Sequence, residues 1–354
     1  MKVSVIFTTY NSPEWLEKVL VGFFCQSVRD FEIVIADDGS RDDTRALIER
    51  MRQESPVPIR HIWHPDDGFQ KCRILNKAVL AASGDYLIFT DGDCIPRSDF
   101  VEQHLRVSSH GTFLSGGYFK LPIDISQMIS REDITSQRVF NIDWLRSRGL
   151  KRSVKDLKVM ARGFLTRFLN FISPAKLTWN GHNSSCHKEF VLAVNGFDER
   201  MQYGGEDCEF GDRLKNLGLK AKRIRYSAIC VHLEHGRGYV NPAMIEANNK
   251  IRLETRLAGQ HPGRQLALLR QRLDSLAERL PRAMREGLKA RRLQLQSQVQ
   301  TLQVVSPLAT LARGYSILLD ERGNAIRSAA QTHNGQRLKA RLGEGELQVR
   351  VEDN

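Results

Sequence analysis

The chain has 354 residues, 41% hydrophobic and 27% charged, a composition that can bury a core and that excludes a low-complexity chain. No run approaches the ~18 uninterrupted apolar residues of a membrane-spanning helix, and MKVSVIFTTYNSPEW lacks the shape of a signal peptide, so a cytoplasmic location is expected. The net charge of +12 is uneven: residues 255–354 hold 17 Lys and Arg against 9 Asp and Glu, yet none of the six cysteines or four tryptophans.

This break in composition predicts a front unit over 1–254 and a separate tail. The cysteines form no CxxC pair, which argues for reduced thiols over a zinc finger or a thioredoxin-like site. In chain order, VSVIFTTYN (3–11) has the β-branched and aromatic content of a strand, and residues 13–27 read as a helix with a broad apolar face. FEIVIADDGS (31–40) is a second strand, 42–53 a helix opened by acidic residues, and IRHIWH (59–64) a third strand. Residues 71–82 read as a helix and DYLIFT (85–90) as a fourth strand. Strands that are apolar throughout and alternate with helices indicate a parallel sheet covered on both faces. Ligands of such sheets bind beyond the carboxyl ends of the strands. Asp37-Asp38 and Asp91-Gly92-Asp93 both fall at such ends. Asp and Gly are ordinary turn residues, but two acidic strand ends facing one crevice form a candidate metal site.

Further along, FLSGGYFKL (113–121) reads as a strand. Residues 151–172 read as one amphipathic helix, with Leu157, Met160, Phe164, Phe168 and Phe171 on one face and Lys151, Lys155, Lys158 and Arg162 roughly opposite. Such a helix either packs on the core or touches an anionic membrane or a lipid-linked acceptor. Gly204-Gly205 precede Glu206-Asp207 at the expected start of a helix, where a carboxylate suits the role of general base. A last strand, 224–239, carries His232 and His235, candidates for a third metal ligand.

The order VSVIFTTYN, IVIADDGSRDDT, GDYLIFTDGDCIP and NGFDERMQYGGEDCEF resembles the family 2 glycosyltransferases of the GT-A fold, over nearly all of residues 1–250. Within that family it is most similar to bacterial lipopolysaccharide core glucosyltransferases, through GDYLIFTDGDCIPR, NGHNSSC and YGGED. The resemblance implies a Rossmann-like α/β fold with a mostly parallel sheet flanked by helices. It implies that Thr8, Tyr10 and Asn11 line the nucleotide pocket, and that Asp38, with Asp37 beside it, recognises uracil or ribose. Asp91 and Asp93, with Gly92 between them, would hold Mg2+ or Mn2+ against the diphosphate of a UDP-sugar, with His232 or His235 as a further ligand. Asp207 would be the catalytic base and Glu206 would help hold the donor sugar or acceptor, while Arg73 and Lys77 would reach the diphosphate. The implied reaction is an inverting transfer of a hexose, glucose above others, to a lipopolysaccharide-core or other surface-glycan acceptor, by an enzyme that is cytoplasmic or peripheral at the inner membrane. Another donor, or a capsule or O-antigen acceptor, is the alternative within the same fold.

In the tail, Leu266, Leu269, Leu273, Leu276, Leu280 and Ala283 recur at three- and four-residue steps. Leu288, Leu295 and Leu302 recur every seven, with Val299 between the last two. This predicts coiled-coil material over 255–305, interrupted at Pro281, and self-association through it. Residues 315–328 and 337–351 predict two β-hairpins within a small segment, 306–354. VSPLATLARGYSILLDERGNAIRSA resembles the C-terminal end of the bacterial exonuclease VII large subunit, over about the last 100 residues. Nothing resembles that enzyme's nucleic-acid-binding domain or the main part of its nuclease domain. Nucleic acid is therefore not expected as a partner, and a tail-driven nucleic-acid or coiled-coil protein is the minor alternative.

Overall fold

The structure, a computed structural model, describes residues 1–236, 241–260, 262–305 and 307–352. It divides into two compact units, Met1–Leu268 and Leu269–Asn354.

In the first unit, β1 (Val3–Thr9), β2 (Phe31–Asp37), β3 (Ile59–Trp63) and β4 (Tyr86–Asp91) run parallel. Then come β5 (Cys94–Pro96), β6 (Thr112–Ser115), β7 (Gly117–Lys120), β8 (Ser184–His187), β9 (Lys220–Arg223) and β10 (Ile229–His232). The large sheet has the order β3-β2-β1-β4-β8-β6-β9, and β8 lies antiparallel to both its neighbours. A small second sheet has the order β5-β10-β7. The segment expected as one strand over 113–121 is thus two strands in different sheets. The change of sheet falls at Gly116, whose N–H donates to Asn183 O at 2.8 Å.

The strands are apolar throughout because both faces of the sheet are covered. Val5, Phe7, Ile33 and Ile35 pack against helix Pro13–Phe24 through Leu16, Leu20 and Phe23. Ile6, Val34, Leu87 and Phe89 point the other way, into a core with Leu75 and Val79 of helix Lys71–Ala81, Trp179, and Phe210 of helix Glu206–Asn216. Successive residues of a strand face opposite sides, so one short sequence feeds both cores.

The polar phrase NGHNSSC is largely internal scaffolding. Asn183 Nδ2 donates to Gly117 O and Ala228 O, both at 2.9 Å, and so ties the second sheet to the first. His104 bonds Ser185 Oγ at 2.7 Å and Asn183 Oδ1 at 3.0 Å. Burial pushes the His104 imidazole down to about 3, so it stays neutral.

Two expectations about long helices change. Residues 151–172 are not one helix: a short turn, Val154–Asp156, leads into Leu157–Met160, and a separate helix, Gly163–Ile172, follows. Ala161 and Arg162 are extended, which ends the first piece, and Gly163 takes φ +55° where the second begins. Lys158, expected on the basic face opposite the apolar one, donates to Tyr118 O at 2.8 Å, and burial pushes its ammonium down to about 8. The expected boundary near residue 255 also moves, because helix Pro242–Gln260 is fastened to the first unit. Arg252 and Arg256 meet Asp212 at 3.2 and 3.1 Å, and Thr255 Oγ1 donates to Glu209 Oε1 at 2.7 Å.

Helix Pro262–Val305, most of which falls in the second unit, continues through Pro281, where a break was expected. Leu273, Leu280, Leu288, Leu295 and Val299 are exposed on it. The side chains of Leu266, Leu269, Leu276, Ala283 and Leu302, from the same expected seam, lie outside the described residues. Strands β11 (Ile317–Leu319), β12 (Arg337–Arg341) and β13 (Glu346–Arg350) form an antiparallel sheet. The second expected hairpin is β12-β13, while the first is a turn closed by the Leu319–Ala325 bridge.

Candidate active site

The parallel register brings the acidic ends together. Thr9 of β1 sits opposite Asp37 of β2, and Thr8 sits opposite Asp91 of β4. The turn Asp91-Gly92-Asp93 then passes from the large sheet into β5 of the second sheet. Gly92 N–H donates to Thr8 O at 2.9 Å, and a Cβ at Gly92 would lie 2.5 Å from that oxygen. Glycine is therefore required for the turn to lie this close to β1.

Strand β10 pairs with β5 so that His232 is opposite Cys94, next in sequence to Asp93. Asp93 Oδ2 lies 2.8 Å from His235 Nε2 and 3.4 Å from His232 Nε2. The three side chains offer ligand atoms within 4.8 Å of one another. The structure therefore brings both histidines to Asp93, where the sequence left the choice open. Burial opposes ionisation of Asp93, but the hydrogen bond from His235 and the charge of both imidazoles hold its carboxyl below the usual range. A carboxylate and two imidazoles suit a divalent transition-metal cation such as Mn2+ better than Mg2+, which takes oxygen ligands. His232 Nδ1, on the ring edge away from Asp93, is buried with no hydrogen-bond partner.

Asp91 turns elsewhere. Its Oδ1 lies 3.3 Å from Lys71 Nζ, and Lys71 is also 3.8 Å from Glu206 Oε1. Lys71 reaches this position because the GFQKC loop packs on the YGGED loop, with the Phe69 and Tyr203 rings edge to face at 5.8 Å. Burial alone would lower the Lys71 ammonium, but Asp91, Asp207 and Glu206 outweigh it and hold it well above its ordinary value.

Glu206 and Asp207 open their helix, and Gly205 before them takes φ +91°. Glu206 is buried and accepts from Gly204 N–H at 2.9 Å. Asp207 Oδ2 accepts from Gly181 N–H at 2.9 Å, whereas its Oδ1 is buried and has no partner. A Cβ at residue 181 would meet the Asp207 carboxylate at 2.7 Å, so Gly181 is what lets that carboxylate approach. Burial pushes the Asp207 carboxyl up to about 7; Lys71 pulls it down, and Glu206 and Asp91 add to the rise.

The remaining expected residues divide. Asp37 accepts from His61 Nε2 and from Ser40 N–H, each at 2.8 Å. Asp38 bonds His64 Nε2 at 2.7 Å and accepts from Gln70 N–H at 3.0 Å; burial raises its carboxyl although His64 opposes this. Lys77 donates to His64 Nδ1 at 3.4 Å and so reaches Asp38 through that ring. Asn11, at φ +45°, accepts from Arg41 N–H at 3.0 Å, and Tyr10 donates to Asp66 at 2.9 Å. Arg73 is not brought to Asp91 or Asp207: it is half-exposed and faces Asp67 and Glu199 at 3.7 and 3.8 Å. Lys71, two residues earlier, supplies the cation instead. Sequence reasoning passed over Lys71, Gly181, His61 and His64. The signal for Lys71 was its place at the first position of the helix, two residues after the aromatic of GFQKC.

Residues 4–149, which hold the strand ends and the Asp91-Gly92-Asp93 turn, match the model described as "Glycosyl transferase family 2". They form a family 2 glycosyltransferase domain. Residues 172–236 of the same unit, with Gly181, Asp207 and both histidines, match "N-terminal domain of galactosyltransferase". A solved structure similar to the glycosyltransferase unit is S. aureus TarS 1-349 in complex with UDP-GlcNAc, 17% identical with TM-score 0.50 over 72% of this chain and 66% of that one. A mannosyltransferase from Pyrobaculum calidifontis, solved with GDP-Man and Mn2+, is 18% identical with TM-score 0.47 over 86% of this chain and 81% of that one. The first of these supports the GT-A fold.

Residues 219–350 match "Exonuclease VII, large subunit". The exodeoxyribonuclease 7 large subunit of Pseudomonas fluorescens (strain Pf0-1) is 65% identical over 164 residues, 46% of this chain and 33% of the relative. That of Pseudomonas syringae pv. tomato is 86% identical over 59 residues, 17% of this chain and 13% of the relative. The chain thus spans a third or less of the length of these two relatives.

Proposed function

We propose that the first unit is an inverting, metal-dependent glycosyltransferase that moves a hexose from a UDP-sugar to a saccharide acceptor of the lipopolysaccharide-core or surface-glycan class. The observation that carries this reading is the carboxylate of Asp207. It is buried, held at one oxygen by Gly181 and open at the other, within the electrostatic reach of Lys71 and Asp91. Asp207 takes the proton of the acceptor hydroxyl, and that oxygen attacks the anomeric carbon from the side away from the diphosphate. A single displacement inverts the anomeric centre, so an α-linked donor gives a β-linked product. Asp93, His232 and His235 would hold the divalent cation, which when bound supplies positive charge to the departing diphosphate. Lys71 adds a fixed positive charge beside Asp91. Glucose is the donor sugar this reading favours, because the sequence is most similar to core glucosyltransferases.

The test is a screen of sugar nucleotides by UDP release, with and without Mg2+ or Mn2+, followed by NMR of the product linkage. Metal-dependent UDP release with a β-linked product is expected from one hexose donor. Equal release in the presence of a chelator, or an α-linked product from an α-linked donor, would overturn it.

The exonuclease VII likeness supports a different role for the second unit, as an assembly segment. Nuclease activity is not proposed, because the likeness leaves out most of that enzyme. Salt-sensitive DNA binding by the full chain would reopen the nucleic-acid reading.

A further inference from the structure

We propose that residues 151–176 form a surface that docks on an anionic phospholipid bilayer, with phenylalanines entering the interface and arginines receiving lipid phosphates. Helix Gly163–Ile172 carries its polarity inside out for a soluble protein. Its uncharged polar residues face the protein: Thr166 is buried, and Asn170 donates to Ser227 Oγ at 2.8 Å and accepts from Tyr226 N–H at 3.0 Å, while Arg167 is exposed. Its large apolar residues face out, with Phe164 82% and Phe171 83% exposed, and Leu165, Phe168 and Ile172 about half exposed. The short helix before it adds exposed Met160. Single exposed apolar residues are common on proteins, but a cluster of this density marks an interaction site.

The charge around the cluster says what covers it. Residues 151–176 contain seven Lys and Arg and one acid, Asp156, which is buried against Arg146 at 2.9 Å. At the foot of the helix a pocket of about 310 Å³ is lined by Arg97, Arg106, Arg162 and Arg167 beside Phe164, with Asp99 as the one carboxylate. Arg97 is held by Asp99 and Ser227 O, yet its Nη1 is buried and has no acceptor. A basic pocket with an unused guanidinium donor beside exposed aromatics suits a phosphate headgroup at a lipid–water boundary. A second copy of the chain is a poorer occupant, because two faces of the same positive charge repel. The proposal does not depend on the transfer chemistry, since none of these residues belongs to the candidate active site.

The test is flotation of the full chain with vesicles of phosphatidylcholine alone, or of equal parts phosphatidylcholine and phosphatidylglycerol. Binding is expected to the phosphatidylglycerol vesicles only, and to weaken as salt is raised. The F164S/F171S variant should bind roughly tenfold more weakly, and the R106Q/R167Q variant should lose the preference for anionic lipid. Both variants change exposed residues, and retained UDP binding would show that each is folded. The proposal is overturned if the wild-type chain ignores anionic vesicles, or if both variants bind as well as wild type, which would assign binding to another basic surface. A Phe164-dependent dimer in sedimentation without vesicle binding would also overturn it.

Discussion

The proposed role of Asp207 as base needs its carboxylate ionised, while its burial opposes ionisation. Burial lifts its carboxyl to about 7, and Lys71 limits the rise. The activity of the full chain should therefore rise as pH passes through about 7, where the carboxylate forms, as read from kcat/KM against pH. Replacing Lys71 by Met removes the opposing cation and should move that limb to higher pH; an unmoved limb would detach Lys71 from Asp207. Because the folded-state pKa lies above the ordinary carboxylate value, Asp207 favours the fold at low pH and its ionisation costs stability as pH rises toward and past about 7. Asp207→Asn should thus lose ~10²–10⁴-fold in turnover while raising Tm at alkaline pH and keeping UDP binding. A variant with near-normal turnover would remove Asp207 from its role. The metal reading has its own readout at this scale: Asp93→Asn should weaken Mn2+ binding measured by electron paramagnetic resonance, in the absence of any sugar nucleotide. Unchanged Mn2+ affinity would argue against the Asp93-His232-His235 set.

At the scale of elements, the site depends on two short connections. The turn at Gly92 joins the large sheet to the second one, and its closeness to Thr8 O leaves no space for a methyl group. Gly92→Ala should lower stability by about 2 kcal/mol in urea unfolding and weaken metal binding with it. Gly181→Ala acts differently, since its added methyl would press on the Asp207 carboxylate and not on backbone. It should reduce turnover sharply with a small change in Tm. Arg73→Ala serves as the contrast: its partners are half-exposed or more, so stability should move by no more than ~0.5 kcal/mol and turnover by little. Strands β1 and β4 beside the first connection follow from hydrophobic pattern, whereas β5 and β8, which the two connections lead into, are too short to show one. The break in residues 151–172 does not follow from pattern either, because it depends on Ala161 and Arg162 being extended and on Asn170 finding partners in the segment before β10.

At the scale of the whole molecule, a glycosyltransferase unit and an exonuclease-like segment share one chain. Leu288 and Leu295 are exposed on the long helix of the second unit, and apolar heptad positions gain stability when a second helix covers them. The full chain should self-associate in light scattering, and L288E/L295E should shift it toward monomer while leaving UDP release unchanged. A wild-type chain that is monomeric throughout would count against this role.

The sequence by itself determined the alternation of apolar strands and helices, and so the parallel sheet. It also determined the placing of Asp37, Asp38, Asp91 and Asp93 at strand ends, because hydrophobic period and chain order are local properties. It marked Glu206-Asp207 and the two histidines as chemistry-bearing, but could not say which groups meet. Tertiary structure decided that Asp93 turns to His232 and His235 while Asp91 turns to Lys71. It also decided that Gly181 rather than a side chain holds Asp207, and that the phenylalanines after Gly163 face outward. These outcomes depend on contacts between segments up to 142 residues apart. Distances of that kind are set by how β5 pairs with β10 and how one loop packs on another, and no period or motif along the chain encodes them.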